Sequence, residues 1–316
     1  MRTIVKIAAG LLAGAGILVA GFVALNWAPD RPVSELKARW APPPSSFVDV
    51  AGMSVHVRDE GVRDDPAPIV LLHGTSASLH TWEGWARALA GKRRVIRFDL
   101  PGFGLTGPAP DNVYTIQRYA AFTVAMLDKL GVQRCVLAGN SFGGYVAWVT
   151  ALTAPERVDK LILVDAGGYA QQPVSVPIGF RIAQLPILNK LAQFTLPRSV
   201  IESSLRNVYG DPGKVTPELV DLYYAMTLRQ GNRQALAQRF TQAVPGALAH
   251  RIPEIKQPTL ILWGGRDRLI PPANAERFRR HIAGSRLVLF DHLGHVPHEE
   301  GPAETVAAVS LFLEGR

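Results

Sequence analysis

With one cysteine in 316 residues, the chain has no internal disulfide. Cys135 lies in an apolar, strand-like run, so it reads as packing rather than as a reactive thiol. Charge is also scarce. Only 19% of residues are charged against 47% hydrophobic, which argues against a disordered polypeptide. No internal repeat is visible. Acidic residues are the minority, 26 against 34 Lys and Arg, giving a formal charge of +8. The basic residues are scattered, and the densest clusters are "GKRRVIR" (91–97) and "RFRRH" (277–281). Neither carries an aromatic ladder or a known reader motif, so both read as solvated surface and no nucleic-acid partner is expected.

The apolar excess has a location. Ile7–Trp27 holds no charge and one amide, Asn26, over 21 residues. As a helix this run would extend roughly 31 Å, enough to cross a bilayer core. Arg2 and Lys6 precede it, which favours a cytoplasmic N-terminus and an exported body, periplasmic or extracellular. Residues 1–27 are therefore expected to be a transmembrane anchor and the membrane a partner. A cleaved signal peptide is the alternative, weakened by the length of the run and the lack of an A-x-A site. Residues 28–46, with five prolines, read as a semi-rigid linker.

From Phe47 the pattern changes. "FVDVAGMSVHVRDEG" alternates around "AGM" and predicts a hairpin. Four short apolar runs follow at 68–74, 94–102, 135–140 and 160–168, with helix-period segments near 78–90, 115–130 and 142–154. Such alternation predicts an α/β fold whose parallel sheet is covered on both faces. Residues 169–252 break the rhythm with proline-punctuated helical segments. Strand and helix signals then return through 258–265, 272–283, 286–291 and 302–313. The organisation is thus a core of 47–168 and 253–316 with a helical cap, 169–252, inserted in it.

"GNSFGG" (139–144) falls where a buried strand becomes a helix. A serine at so sharp a turn needs small neighbours, and Gly139-Asn140-Ser141-Phe142-Gly143 fits the G-x-S-x-G nucleophile elbow. A serine hydroxyl needs a base to take its proton, and the base needs an acid to hold its tautomer. His295, in "DHLGHVPHEE" after the last strand, is the expected base, since Gly294 lets the loop turn its ring. His292 and His298 are near competitors, and His73 reads as a loop-orienting residue. Asp267 in "WGGRDRLIP" is the expected acid, with Asp165 at the end of "KLILVD" as alternative. Ser141…Asp267…His295 is also the chain order expected for this elbow. The oxyanion donors are expected at the N–H of Phe142 and of Thr75, or Ser76 in its place.

Taken in order, "LLHGTSAS", "DLPGFGLT", "GNSFGG", "LWGGRDRLIP" and "GHVPHEE" make the chain resemble the α/β-hydrolase superfamily, in its cap-bearing esterase and C–C hydrolase branch, over residues 47–314. The resemblance implies an eight-stranded sheet with only the second strand antiparallel. It also implies a cap after strand six and neither cofactor nor metal. Asp99 and Gly102 match a family motif of loop structure and are not taken as catalytic.

Fold does not settle chemistry. Haloalkane dehalogenases and epoxide hydrolases of this fold use an aspartate nucleophile, and position 141 is serine. Relatives that cleave carbon–carbon bonds of ring-fission products often carry Trp after the catalytic histidine, where Val296 stands here. Ester hydrolysis asks for nothing beyond triad and hole. The expected function is a serine hydrolase of small-molecule carboxylic esters with an apolar acyl or alcohol part. The alternatives are a meta-cleavage C–C hydrolase, a cofactor-free haloperoxidase or perhydrolase, or a membrane-tethered receptor on the same fold. Phe180, Leu185, Ile187, Leu188, Leu191, Phe194, Tyr223, Tyr224 and Met226 are candidates to line the pocket, though most are expected to pack helix against sheet.

Overall fold

Two helices, α1 (Arg2–Leu25) and α2 (Val33–Trp40), precede a hairpin of β1 (Ser46–Val50) and β2 (Met53–Gly61). Its turn, Ala51–Gly52, has positive φ at both residues, 51° and 75°, the geometry whose twist matches the flanking strands. There follow β3 (Ile69–Leu72), α3 (Glu83–Leu89), β4 (Arg94–Phe98), α4 (Ile116–Lys129), β5 (Cys135–Asn140), α5 (Phe142–Thr153) and β6 (Val158–Val164). Five helices come next, α6 (Ile178–Gln184), α7 (Pro186–Leu191), α8 (Arg198–Val208), α9 (Pro217–Leu228) and α10 (Asn232–Gln242). The sheet then resumes with β7 (Thr259–Gly264), α11 (Ala273–His281), β8 (Arg286–Phe290), α12 (Pro297–Glu300) and α13 (Pro302–Leu313). This computed structural model describes residues 2–170 and 172–315, with side chains in α1 at residues 7, 10, 13, 14 and from 16 onward.

The eight strands lie in the order β1-β2-β4-β3-β5-β6-β7-β8. β2 is antiparallel to both neighbours, and every pair from β4 to β8 is parallel. The strands read as unbroken apolar runs because both faces are covered. Val70 and Leu72 of β3, with Leu137 of β5, pack against Tyr119, Met126, Trp148 and Phe278 of α4, α5 and α11. Ile69 and Leu71, with Val136 and Ala138, face Trp85, Leu89, Val309 and Phe312 of α3 and α13. The period of two along each strand thus divides the core into two layers. Cys135 is buried, and burial pushes its thiol up to about 12, so it is inert packing.

The N-terminal expectation is corrected. Among the described residues, no helix is long and apolar enough to cross a membrane. The anchor, the membrane partner and the exported location that rested on it fall together. Ile17, Leu18, Val19, Phe22 and Leu25 stay exposed, and only the end of the run meets the cap. Phe22 lines a cavity under the cap, and the amide of Ala28 donates to Phe194 O at 2.9 Å while Leu196 N donates to Asn26 O at 3.1 Å. The linker expected over 28–46 is packed as well. Leu36 of α2 is buried against Leu105, Ala225 and Met226. Asp30 pairs with Arg233 of α10 at 2.5 Å and accepts the amide of Gly231. Proline-rich composition signals stiffness, and here the stiff segment is a strap laid over the cap. The basic cluster at 91–97 is largely paired: Arg93 with Asp65, Arg94 with Asp59, and Arg97 with Glu60 and Glu83.

Candidate active site

Between the last residue of β5, Asn140, and the first of α5, Phe142, a single residue must turn the chain. Ser141 does so at φ 54° and ψ −115°, a conformation that costs a non-glycine residue on the order of 1–3 kcal/mol. The flanking glycines are required by close approach. A Cβ on Gly139 would lie 2.2 Å from Gly143 O, and one on Gly143 would lie 2.2 Å from Leu72 O. Ser141 N donates to Val164 O, and Ser141 O accepts from Tyr145 N and Gly167 N, so the strained residue is bonded on both sides. The side chain of Asn140, one residue earlier, donates to Val164 O and to His295 O at 3.0 Å. It ties the end of β5 to the end of β6 and to the histidine loop.

His295, Asp267 and Ser141 are all buried, at 4, 3 and 8% exposure. His295 Nδ1 lies 2.7 Å from Asp267 Oδ2. The other oxygen of Asp267 accepts the amides of Leu269 (2.8 Å) and Ile270 (2.9 Å). With Nδ1 committed, Nε2 is the nitrogen of His295 left to accept a proton. Ser141 and His295 line the same cavity. Asp165 stands close by: its carboxylate, that of Asp267 and a ring nitrogen of His295 lie within 4.8 Å of one another. Burial first, then the charge of Asp267, pushes the Asp165 carboxyl well above the usual range, while Gly264 N donates to its Oδ1 at 3.0 Å. A neutral carboxylic acid beside an ionised one is the outcome expected when two carboxyls share a dry site.

The histidine loop is clamped from the cap side. His295 N donates to Val208 O at 2.7 Å. The buried Glu300 carboxylate accepts from Gly294 N, Gly210 N and Asp211 N, bridging the loop to the end of α8. The other histidines have separate partners. His292 is exposed and meets Glu304 at 3.0 Å. His298 is buried against Trp82 with Nε2 near Thr81 Oγ1. His73 Nδ1 donates to Gly74 O, and its Nε2 accepts from Leu100 N, so it orients a loop. Asp99 accepts amides of Leu79 and Leu105, a loop role too.

Thr75 and Ser76 lie on the loop after β3, at the cavity beside Ser141, and Phe142 opens α5. The cavity measures about 290 Å³. Of the nine cap candidates, Phe180, Leu188, Leu191 and Tyr223 line it. Met226 packs away, whereas Leu185, Ile187 and Phe194 are half-exposed or more, against the expectation of helix–sheet packing. Much of the wall is instead Ala183, Val200, Ile201, Leu205, Val208 and Leu236. Tyr223 donates to the half-buried Glu299 at 2.8 Å. Asn140, Glu300, Phe22 and the α8 wall were not legible as site residues. Of these, Asn140 and Glu300 lay in motifs already singled out.

A family model described as the alpha/beta hydrolase fold matches residues 67–302, and the chain belongs to that family. Among relatives, the 2-hydroxy-6-oxo-2,4-heptadienoate hydrolase of Pseudomonas putida is 31% identical over 280 residues, covering 84% of this chain and 95% of that protein. A solved meta-cleavage product hydrolase from Pseudomonas fluorescens superposes with a TM-score of 0.73 at 25% identity, covering 86% of this chain and 98% of that one. A solved bacterial membrane phospholipase A also gives a TM-score of 0.73, at 27% identity, covering 99% of this chain and 98% of that one.

Proposed function

We propose that this α/β-fold hydrolase cleaves carboxylic esters with an apolar acyl or alcohol part through an acyl-enzyme on Ser141. The observation that carries the reading is the cavity itself. It holds Ser141 and His295, and its walls are otherwise mostly apolar, with Thr75, Ser76, Asn189, Ser204 and Thr227 among the polar exceptions. Ser141 Oγ attacks the ester carbonyl as His295 Nε2 takes its proton, and Asp267 stabilises the imidazolium. The developing oxyanion is received by the N–H groups of Phe142 and Thr75. His295 then protonates the leaving alkoxide, and water attacking the acyl-enzyme completes the cycle. The likeness to a phospholipase, an ester hydrolase by name, points the same way.

Similarity to a heptadienoate hydrolase favours a second reading, carbon–carbon cleavage of a ring-fission product. That relative's name describes a carboxylate substrate. Among the described residues the arginine at the cavity wall, Arg233, already pairs with Asp30, and Val296 follows His295. The test uses the full chain. Fluorophosphonate labelling at Ser141 and turnover of p-nitrophenyl esters, rising and then falling with chain length, are expected. Turnover of a 2-hydroxy-6-oxo-dienoate without any ester turnover refutes the ester reading in favour of the second.

A further inference from the structure

Arg239 of α10 is the buried cation that the triad leaves unexplained. It is 7% exposed and takes part in none of the ion pairs among the described residues. Its Nη2 donates to Thr75 Oγ1 at 3.1 Å, and its Nε is buried without a partner. The guanidinium lies 4.5 Å from the ring centroid of Phe142 and 4.7 Å from that of Phe240. Burial pulls its pKa down to about 10, which leaves it a cation at neutral pH. A desolvated, carboxylate-free guanidinium is costly, and two ring faces offset only part of that cost. Such a charge is retained where something negative forms near it. Two of its three contacts, Thr75 and Phe142, are the residues whose amides are proposed for the oxyanion.

We infer that Arg239 is a positioning residue of the oxyanion hole: from the cap it holds the Thr75 loop by its hydroxyl and places a fixed positive charge behind both oxyanion donors. The inference rests on the acyl-transfer reading of Ser141. It also gives the cap a part in catalysis beyond shaping the pocket. If α10 moves away, the charge and the loop restraint leave together. In a dry site a preorganised charge acts on the transition state more than on the neutral ester, so the effect falls on kcat.

The test compares Arg239→Gln and Arg239→Lys with wild type on p-nitrophenyl butyrate. It adds the affinities for butylboronic acid, whose adduct with Ser141 is anionic, and for butyramide, a neutral occupant of the same cavity. Arg239→Gln is expected to lower kcat roughly 10- to 100-fold with KM within about threefold, somewhat below the loss from removing a direct donor. Boronate affinity should fall by a similar factor, butyramide affinity should hold, and Arg239→Lys should recover part of the loss. Unchanged kcat and boronate affinity, with only a lower Tm, would overturn the inference. So would a raised KM at constant kcat. Should Arg239→Gln not fold, Thr75→Val removes the acceptor and should cost about tenfold in both kcat and boronate affinity, with Thr75→Ser restoring them. Unchanged boronate affinity in Thr75→Val refutes the positioning role. A wild type that turns over no ester refutes the ester reading, while the boronate measurements still decide the role of Arg239.

Discussion

Replacing Asp267 by Asn tests which acid serves His295, because the surroundings dictate how the amide must sit. The oxygen in the Oδ1 position accepts the amides of Leu269 and Ile270 at 2.8 and 2.9 Å. Turning the NH2 toward them would strand two buried donors, about 2–6 kcal/mol in sum. The NH2 therefore faces His295 Nδ1, where Asp267 Oδ2 stood at 2.7 Å. Nδ1 must then be the acceptor, the proton moves to Nε2, and the base can no longer take the serine proton. A fall in kcat of about 10⁴, or about 5.4 kcal/mol, is expected. Asp165→Asn differs. Burial and the Asp267 charge push that carboxyl's pKa up, toward the neutral form that an amide resembles. Its kcat should stay within about threefold. The sign for stability follows from the raised pKa. Above the unfolded value of about 3.9 the native state holds a proton that the unfolded state has lost, so this group disfavours folding increasingly as pH rises toward its folded pKa. Asp165→Asn should be no less stable than wild type at pH 7. Steady-state ester hydrolysis and urea melts of both variants decide the matter. If Asp165→Asn is the more damaging to kcat, Asp165 is the orienting acid and the reasoning fails.

Ser141→Ala should lose at least about 10⁴ in kcat and all fluorophosphonate labelling while its circular dichroism is unchanged; retention of a tenth of the activity excludes Ser141 as nucleophile. Glu300→Gln replaces an acceptor of three amides and should cost about 1–3 kcal/mol by urea unfolding, with slower turnover as the His295 loop loosens. His73 and His298 are buried and His80 half-buried, all three with pKa values lowered by desolvation, that of His80 to about 4. Below the unfolded value of about 6.5 the unfolded chain takes up protons that the native state refuses, so stability should drop by up to ~1.4 kcal/mol per pH unit for each as pH falls toward the folded pKa. His80→Gln should flatten that slope in melts between pH 7 and 4, and an unchanged slope refutes the argument. Leu205→Trp, filling the α8 wall of the cavity, should move the ester optimum to shorter chains, each methylene that loses burial weakening kcat/KM by up to about fourfold.

The sheet was legible along the chain because a strand buried on both faces must be apolar throughout, as Ile69–Leu72 and Cys135–Asn140 are. The elbow was legible for an equally local reason: a one-residue turn at Ser141 admits no side chain at Gly139 or Gly143. The sequence pattern brought Ser141, Asp267 and His295 forward as candidates, each in a motif just past a strand. Their separation in space was beyond it. That the carboxylate of Asp267 rather than that of Asp165 meets the ring is a matter of ångströms between the ends of β6 and β7. The cap was legible only as helices, because its pocket wall is drawn from five short helices whose apolar residues serve packing and cavity alike. The N-terminal run misled for a related reason. An apolar stretch states how much surface needs covering and not what covers it: Ala28, just past its end, is buried against Leu196 and Leu228, while Phe22 lines the cavity and stays exposed. Arg239 gave no signal at all. A lone arginine on a polar-looking helix acquires meaning only once folding has placed it, without a carboxylate, between Thr75 and Phe142.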